Sequence, residues 1–467
     1  MTETDSWKRE LEASIADEVE QIVEAFAAHE KGAGKKGGGR KGGGRKGDSP
    51  IVPVVANDHR LDYMYHKDQL LVREEYLSRV LGILEQPEEA DLRRREIPLI
   101  QPIIAGVVLL TLSESAKGER LEVPVAAARV DRVLGSGIVT PNHVLTVAGN
   151  TGGCPATEPE EVYAGIEPYP SVCQDGGGGG VLIYLADTGL LADPAHGHPW
   201  LAGIQPDWPS GPDPGNGQDP IPPYTAHGTF VAGVTRCMAP AADIIVTNAF
   251  AVAGSTLESD LVPRLVQALG WGVDIFHLTI AAPTRSDLPL IAFERWLKLL
   301  RQYKGVVCVV AAGNSGGRRP SWPAAFSEVV SVGALGSDWR GRASFSNYGG
   351  WVDVYAPGRD IINAYATGSY RCHVRPYKND LRHFHGMAKW SGTSFSTPVV
   401  TGLIASRMSR TGENGQQAAA ALLAEARCQA IPGVGAVLLP GCRGDQSACA
   451  AECACGRRDH HHRGCGG

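Results

Sequence analysis

Apolar residues follow different rhythms in different stretches of the chain. Between 6 and 29, Trp7, Leu11, Ile15, Val19, Ile22 and Phe26 recur every three to four positions behind a capping Ser6, which predicts one amphipathic helix. The helix either packs on its own protein or docks on a partner. Residues 31–47 hold no apolar side chain larger than Ala, so they cannot offset their ordering entropy and read as a flexible linker. Strand-like runs at 69–73, 103–112 and 142–147 then alternate with helix-like stretches at 74–85 and 123–134. This β-α-β-α-β order is that of a small α+β unit of split βαβ, ferredoxin type, with one strand unaccounted for. A loose tail follows, closed by five glycines at 176–180.

Beyond residue 180 the rhythm becomes regular. Continuously apolar runs at 181–186, 242–249, 273–280, 306–312 and 328–334 alternate with helical stretches near 228–238, 258–270 and 288–303. Such alternation predicts an α/β fold with a doubly wound parallel sheet covered by helices on both faces. Sites in such sheets lie off the carboxyl ends of the strands.

Composition narrows the classes. With 43% apolar and 20% charged residues among 467, the chain can build a large core. A net charge of −6 argues against nucleic acid as the main partner, although the linker carries seven basic residues. No apolar run approaches the ~18–20 residues of a membrane helix. Residues 1–30 hold nine acidic residues and no apolar core of a leader, so no Sec-type signal is expected; a cytoplasmic location is favoured, with export as the alternative. Of 11 cysteines, six crowd into the last 40 residues, and the others are expected to be mostly reduced.

Four segments sit where a parallel sheet places its chemistry. Asp187-Thr188-Gly189 ends one strand, and Thr225-Ala226-His227-Gly228-Thr229 opens a helix. Gly313-Asn314-Ser315-Gly316 ends another strand, and Ser391-Gly392-Thr393-Ser394 leads into a further helix. Singly, each reads as a cap or a turn. Together they form a nucleophile, a base, an orienting carboxylate and an amide donor. A serine hydroxyl needs an imidazole to take its proton, and the imidazole needs a carboxylate to fix its tautomer. Asn314 and the Ser394 N–H at a helix N-terminus could hold an oxyanion.

The chain order Asp, His, Ser distinguishes this set from other serine hydrolases. With VLIYLADTG, AHGTFVAG, VVAAGNSGG and SGTSFSTPVVTG, residues 181–410 resemble the subtilases, the subtilisin-like family of serine peptidases. The resemblance implies Ser394 as nucleophile, His227 as general base and acid, Asp187 as its orienter and Asn314 as oxyanion donor. It implies a substrate strand and P1 pocket around Leu278, Thr279, Ala281, Ala311 and Gly313. It also implies that the 51–150 unit is an inhibitory propeptide, cut from the catalytic domain somewhere in 148–180. The organisation expected is a helix (1–30), a basic linker (31–50), a propeptide-like domain (51–150), a connector (151–180), a catalytic domain (181–427) and a Cys/His-rich tail (428–467). The partners implied are a polypeptide substrate and the chain's own prodomain.

Several positions depart from the family pattern. Phe230 stands where a second His is usual, and Thr279 and Ala281 replace Ser and Gly of the substrate strand. The methyl of Ala281 should narrow the P1 pocket or shift its backbone. The loop that holds a tight calcium in many relatives is missing after His227, so no cofactor is expected, with calcium as an open alternative. Insertions at 191–224 (with His196 and His198) and 366–389 (with Cys372, His373, His383 and His385) lie beside triad residues in sequence, where they could shape the substrate cleft; their histidines read as residues of solvated loops, with metal binding as the alternative. In the tail, Cys449, Cys453, Cys455, His460–His462 and Cys465 offer a metal or disulfide reading against that of a disordered end. Two further readings of the whole chain stay open: a dedicated intracellular maturation protease for one partner, and a peptide-binding pseudoprotease.

Overall fold

The computed structural model describes residues 3–33, 49–56, 61–85, 99–112, 121–147, 156–173, 175–207, 217–250 and 252–440. The tail cysteines and histidines from 442 onward and most of the basic linker lie outside them.

The first part of the chain runs α1 (Glu3–Ala33), β1 (Ile51–Val55), β2 (Leu61–Arg73), α2 (Leu77–Glu85), β3 (Leu99–Ile104), β4 (Val107–Thr111), α3 (Val123–Leu134) and β5 (Val139–Val147). The apolar run at 103–112, expected as one strand, belongs to an antiparallel hairpin of β3 and β4. Its tight turn holds Gly106 at φ +88°. The turn is hard to see in sequence because β4 is apolar on both faces, so no alternation marks the reversal. The hairpin supplies the missing strand and completes the β-α-β-β-α-β order, with β5-β2-β4-β3 as neighbours.

Both faces of this sheet are covered. Leu70, Val72, Val108 and Leu110 pack against Val80, Val123, Ala127 and Val130 of α2 and α3. The alternate residues, Leu71, Val107, Leu109 and Leu145, face the other way, as the two-residue period of a strand requires. They pack on two helices of the second part of the chain.

That second part runs β6 (Leu182–Asp187), β7 (Gln205–Pro206), α4 (His227–Met238), β8 (Asp243–Asn248), β9 (Ser255–Leu257), α5 (Glu258–Leu269), β10 (Ile275–Leu278), β11 (Ile280–Ala281), α6 (Ile291–Leu300), β12 (Val307–Ala311), β13 (Val330–Leu335), β14 (Val354–Pro357), β15 (Ile361–Arg371), β16 (Leu381–Trp390), α7 (Thr393–Thr411) and α8 (Gly415–Cys428). Strands β14-β13-β12-β10-β6-β8-β7 form the parallel sheet. Ile183, Leu185, Val309 and Val332 face α4 and α7, whereas Tyr184, Phe276, Cys308 and Val310 face α5 and α6. Leu261, Leu265, Phe293 and Trp296 of α5 and α6 also receive the first sheet.

The 366–389 stretch is not a solvated loop. It forms most of the β15–β16 hairpin, with Cys372 buried and Phe384 in the core. In the 191–224 stretch His198 is buried against Trp200. Of the cysteines expected to be mostly reduced, Cys237, Cys308 and Cys372 are buried thiols, whereas Cys173 is disulfide-bonded. Among the described residues no helix is long and apolar enough to cross a membrane.

Candidate functional site

Asp187 is the last residue of β6, and the parallel register sets it opposite Asn248 at the carboxyl edge of the sheet. His227 is the first residue of α4. The helix start comes this close to the strand because residue 228 is glycine: a methyl there would lie 2.2 Å from the Gly189 carbonyl and 3.2 Å from Asp187 Oδ1. Thr188 completes the joint. Its hydroxyl donates to the Tyr224 carbonyl at 3.2 Å and accepts the Gly228 N–H at 3.1 Å.

The outcome is a buried pair, with His227 Nδ1 2.7 Å from Asp187 Oδ1 and both residues wholly withdrawn from solvent. Asp187 also accepts the Thr188 N–H at 2.7 Å on Oδ1 and the Thr279 hydroxyl at 2.6 Å on Oδ2. Burial alone would raise the Asp187 carboxyl. The charge and hydrogen bond of His227, with the bonds from Thr279 and Thr188, outweigh it and hold the carboxyl below its usual range. An ionised Asp187 in this place keeps the proton of the imidazole on Nδ1 and turns Nε2 into the basic nitrogen.

Ser394 is the second residue of α7, where backbone N–H groups lack helical partners. It neighbours Phe395, whose ring lies 5.4 Å from that of His227. Ser394 Oγ and His227 Nε2 are both buried and neither makes a hydrogen bond. Asn314 follows β12, and its Oδ1 accepts the Thr393 N–H at 2.8 Å and the Thr393 hydroxyl at 3.0 Å. These bonds tie Asn314 to the residue before Ser394 and give the amide an orientation in which Nδ2 is its donor. Asp187, His227 and Thr279 are thus bonded together, and Asn314 is bonded to the turn that carries Ser394.

The remaining expected residues lie on or beside strands β10, β11 and β12. Leu278, Thr279, Ala281, Ala311 and Gly313 are all buried, on β10, β11 and the end of β12. Three features of the site's surroundings escape sequence reasoning. One is the bond from Thr279 to the carboxylate, which depends on β10 lying beside β6. Another is the ring of Trp390, 5.5 Å from His227. The third is His277 on β10, whose Nδ1 lies 2.8 Å from the Thr401 hydroxyl oxygen and which burial pushes down to about 3, so it stays neutral beside the pair. Among the described residues no group of three or more His, Cys, Asp or Glu is arranged to hold a metal ion.

The chain's own backbone flanks this site on both sides. Strand β5 lies between β9 and β11, antiparallel to each, pairing Val144 with Leu257, Thr146 with Ala281 and Val147 with Ile280. On the other flank, Glu160 exchanges both backbone hydrogen bonds with Lys389 of β16, at 2.8 and 2.9 Å. Trp390 Nε1 donates to the Thr157 carbonyl at 2.6 Å.

Comparison with known proteins gives the same assignment. The profile of the Subtilase family matches residues 178–434. Subtilisin Savinase of Lederbergia lenta is 30% identical over 237 residues, covering 49% of this chain and 76% of that protein. The Thermophilic serine proteinase of Bacillus sp. (strain AK1) is 32% identical over 200 residues, covering 41% of this chain. This chain spans 44% of the length of that proteinase and 54% of that of M-protease from Shouchella clausii (strain KSM-K16). Among solved structures, fervidolysin from Fervidobacterium pennivorans, described as a keratinolytic enzyme related to subtilisin, superposes with a TM-score of 0.52 at 18% identity. It covers 83% of this chain and 61% of that one, which is a likeness of fold. With a family profile matched over more than half its length, and a parallel sheet that brings Asp187 and His227 together, this chain belongs to the subtilase family.

Proposed function

We propose that the protein is a serine endopeptidase, held in its latent form, and that Ser394, His227, Asp187 and Asn314 carry the reaction. The observation that supports this most is the Asp187–His227 bond with the basic Nε2 and the Ser394 hydroxyl both buried and unpartnered. In the reaction His227 Nε2 accepts the hydroxyl proton as Ser394 Oγ adds to the scissile carbonyl. Ionised Asp187 stabilises the imidazolium without taking its proton. Asn314 Nδ2 and the N–H of Ser394, at the start of α7, donate to the oxyanion as the carbonyl carbon becomes tetrahedral. His227 then returns the proton to the leaving amine. Water repeats the sequence on the acyl-enzyme and restores Ser394.

The N-terminal unit acts as an inhibitory prodomain in this reading. Strand β5 occupies the groove in the manner of a substrate, by backbone pairing with β9 and β11. The connector leaves along β16 at Glu160. The bond to be cut therefore lies in the sequence between Val147 and Thr157, narrower than the 148–180 expected from sequence. Polypeptides would enter by the same ladder. The test is hydrolysis of a fluorescently labelled unfolded protein by wild type and by Ser394→Ala and His227→Ala. Turnover in wild type that falls by roughly 10⁶ in both variants supports the reading; subtilisin itself loses about that much without its nucleophile or its base. Wild-type protein that binds peptides but never turns them over makes the chain a peptide-binding module.

A further inference from the structure

Strand β5 fills only the approach to the catalytic centre. Its last residue, Val147, pairs with Ile280, next to Thr279, whose bond to Asp187 leads to His227 and, 5.5 Å on, to the ring of Trp390. A substrate that follows β5 therefore meets Trp390 and β16 only beyond the bond to be cut. That flank is already taken. The Glu160 N–H donates to the Lys389 carbonyl at 2.8 Å and the Glu160 carbonyl accepts the Lys389 N–H at 2.9 Å, so neither backbone group of Lys389 is open to a substrate. The Thr157 carbonyl accepts the Trp390 Nε1–H at 2.6 Å, and the Thr157 hydroxyl oxygen accepts the N–H of Ser391, three residues before Ser394, at 3.2 Å.

The residues that take it are anchored on the catalytic part. Glu158 is buried; its Oε1 accepts the N–H groups of His373 and Val374, the latter at 2.9 Å, and its Oε2 accepts the Tyr370 hydroxyl. Lys389 Nζ pairs with Glu160 Oε2 at 2.7 Å, Arg382 Nη1 donates to the Pro159 carbonyl at 2.5 Å, and the His383 N–H donates to Glu161 Oε1. Each of these partners lies beyond residue 180, so a cut before Thr157 breaks none of the bonds. Further along, Tyr169 exchanges backbone bonds of 2.8 and 3.0 Å with Ile362. The ring of Trp390 is held as well, packed on Phe230, Tyr365 and Phe395 with centroids 5.3–5.8 Å apart.

We infer that residues 157–161 stay on this flank after maturation and are a specificity-determining segment: they close β16 to the part of a polypeptide that follows the cleaved bond, and Glu158 anchors them there. This rests on the peptidase reading above and names the substrates its site prefers, peptides with a short segment after the cleaved bond. Between the His227 ring and the Thr157 carbonyl there is room for roughly three extended residues at ~3.3 Å each. A peptide that ends within that reach is held through its upstream residues, by the ladder that β5 now uses. A longer one has to displace Thr157 and Glu160 before it can pair with β16. The segment thus slows the cutting of long chains without touching the reacting groups.

The test uses the full chain after self-processing and a peptide that wild type itself cuts from an unfolded protein, synthesised with two, four or eight residues after the cleaved bond. Wild-type kcat/KM should be at least about tenfold lower for the eight-residue form than for the two-residue form. Glu158→Ala removes the anchor and Glu160→Pro the ladder donor, and each should close most of that gap. A wild-type rate that is level or rises with length overturns the inference while leaving the peptidase reading intact, as does a gap that both variants retain. Amide exchange on matured wild type gives a readout independent of the variants. The Glu160 and Lys389 amides should stay as protected as in uncut Ser394→Ala, and fast exchange at both after the cut overturns the inference. If a fluorophosphonate probe fails to label Ser394 in wild type, the peptidase reading falls and this inference falls with it.

Discussion

Thr279 Oγ1 lies 2.6 Å from Asp187 Oδ2, on the carboxylate oxygen that His227 does not use. The bond joins the segment between β10 and β11 to the carboxylate that is bonded to His227. Replacing Thr279 with valine keeps the volume and leaves one oxygen of a buried carboxylate short of a donor, at a cost of about 1.5–3 kcal/mol. Thr279→Val should lower kcat by roughly ten- to a hundredfold, and Thr279→Ser should restore most of it. Equal activity of all three forms would remove Thr279 from the catalytic arrangement.

Helix α1 bridges the first sheet and the second part of the chain. Its Ile15, Ile22 and Phe26 pack with Met64 of β2, Val144 of β5 and Leu257 of β9. Buried Asp17 accepts bonds of 2.9 Å from Arg375 Nε and Nη2 and of 2.8 Å from Lys378 Nζ, in the turn of the β15–β16 hairpin. The bonds from Arg375 hold the Asp17 carboxyl down at about 2, against burial. Arg375 is half exposed, so solvent screens much of the pairing. Asp17→Ala should speed amide exchange across residues 15–30 in the Ser394→Ala background, with the rest of the chain unchanged. Exchange as slow as in the parent would show that the apolar stripe alone holds the helix.

If the N-terminal unit is the prodomain proposed above, its docking should weaken in acid. His143 of β5 is buried on Tyr63, and its Nε2 accepts the Arg285 N–H at 3.2 Å. The Arg285 guanidinium, paired with Asp131, is the other charge facing it. Burial and then Arg285 push His143 down from 6.5 to about 3. Between those values the released form binds more protons than the docked form, so docking is at full strength above about 6.5 and is lost progressively as pH falls. Release of the cut prodomain should accelerate from pH 7 to pH 5, and His143→Gln should flatten that dependence. A release rate insensitive to pH in wild type would contradict the assignment.

The catalytic sheet is readable in the sequence because its strands are short, apolar and separated by amphipathic helices, and because chemistry in such sheets sits at strand ends. Asp187 and Asn314 occupy or follow such ends and His227 and Ser394 open helices, so local pattern alone marks them as candidates. Thr279 has the same kind of position, yet its bond to Asp187 depends on two strands far apart in sequence being neighbours. The β3–β4 hairpin is hidden for another reason: a sheet buried on both faces shows no polar alternation, and Gly106 is a slight signal of reversal. The β15–β16 hairpin reads as a loop because its strands carry Arg, His and Lys on the open face. Only the packing of Tyr365, Tyr370 and Phe384 beneath betrays it.

Everything proposed for the site depends on Ser394 being an activated nucleophile that frees itself by cutting its own chain just beyond β5. Intact-mass analysis after incubation with a fluorophosphonate, for wild type and Ser394→Ala, examines both halves of that statement at once. Wild type should carry the label on a fragment whose N-terminus lies between residues 148 and 157, and Ser394→Ala should remain full-length and unlabelled. Wild-type protein of full mass without label, or a cut that persists in Ser394→Ala, would refute it.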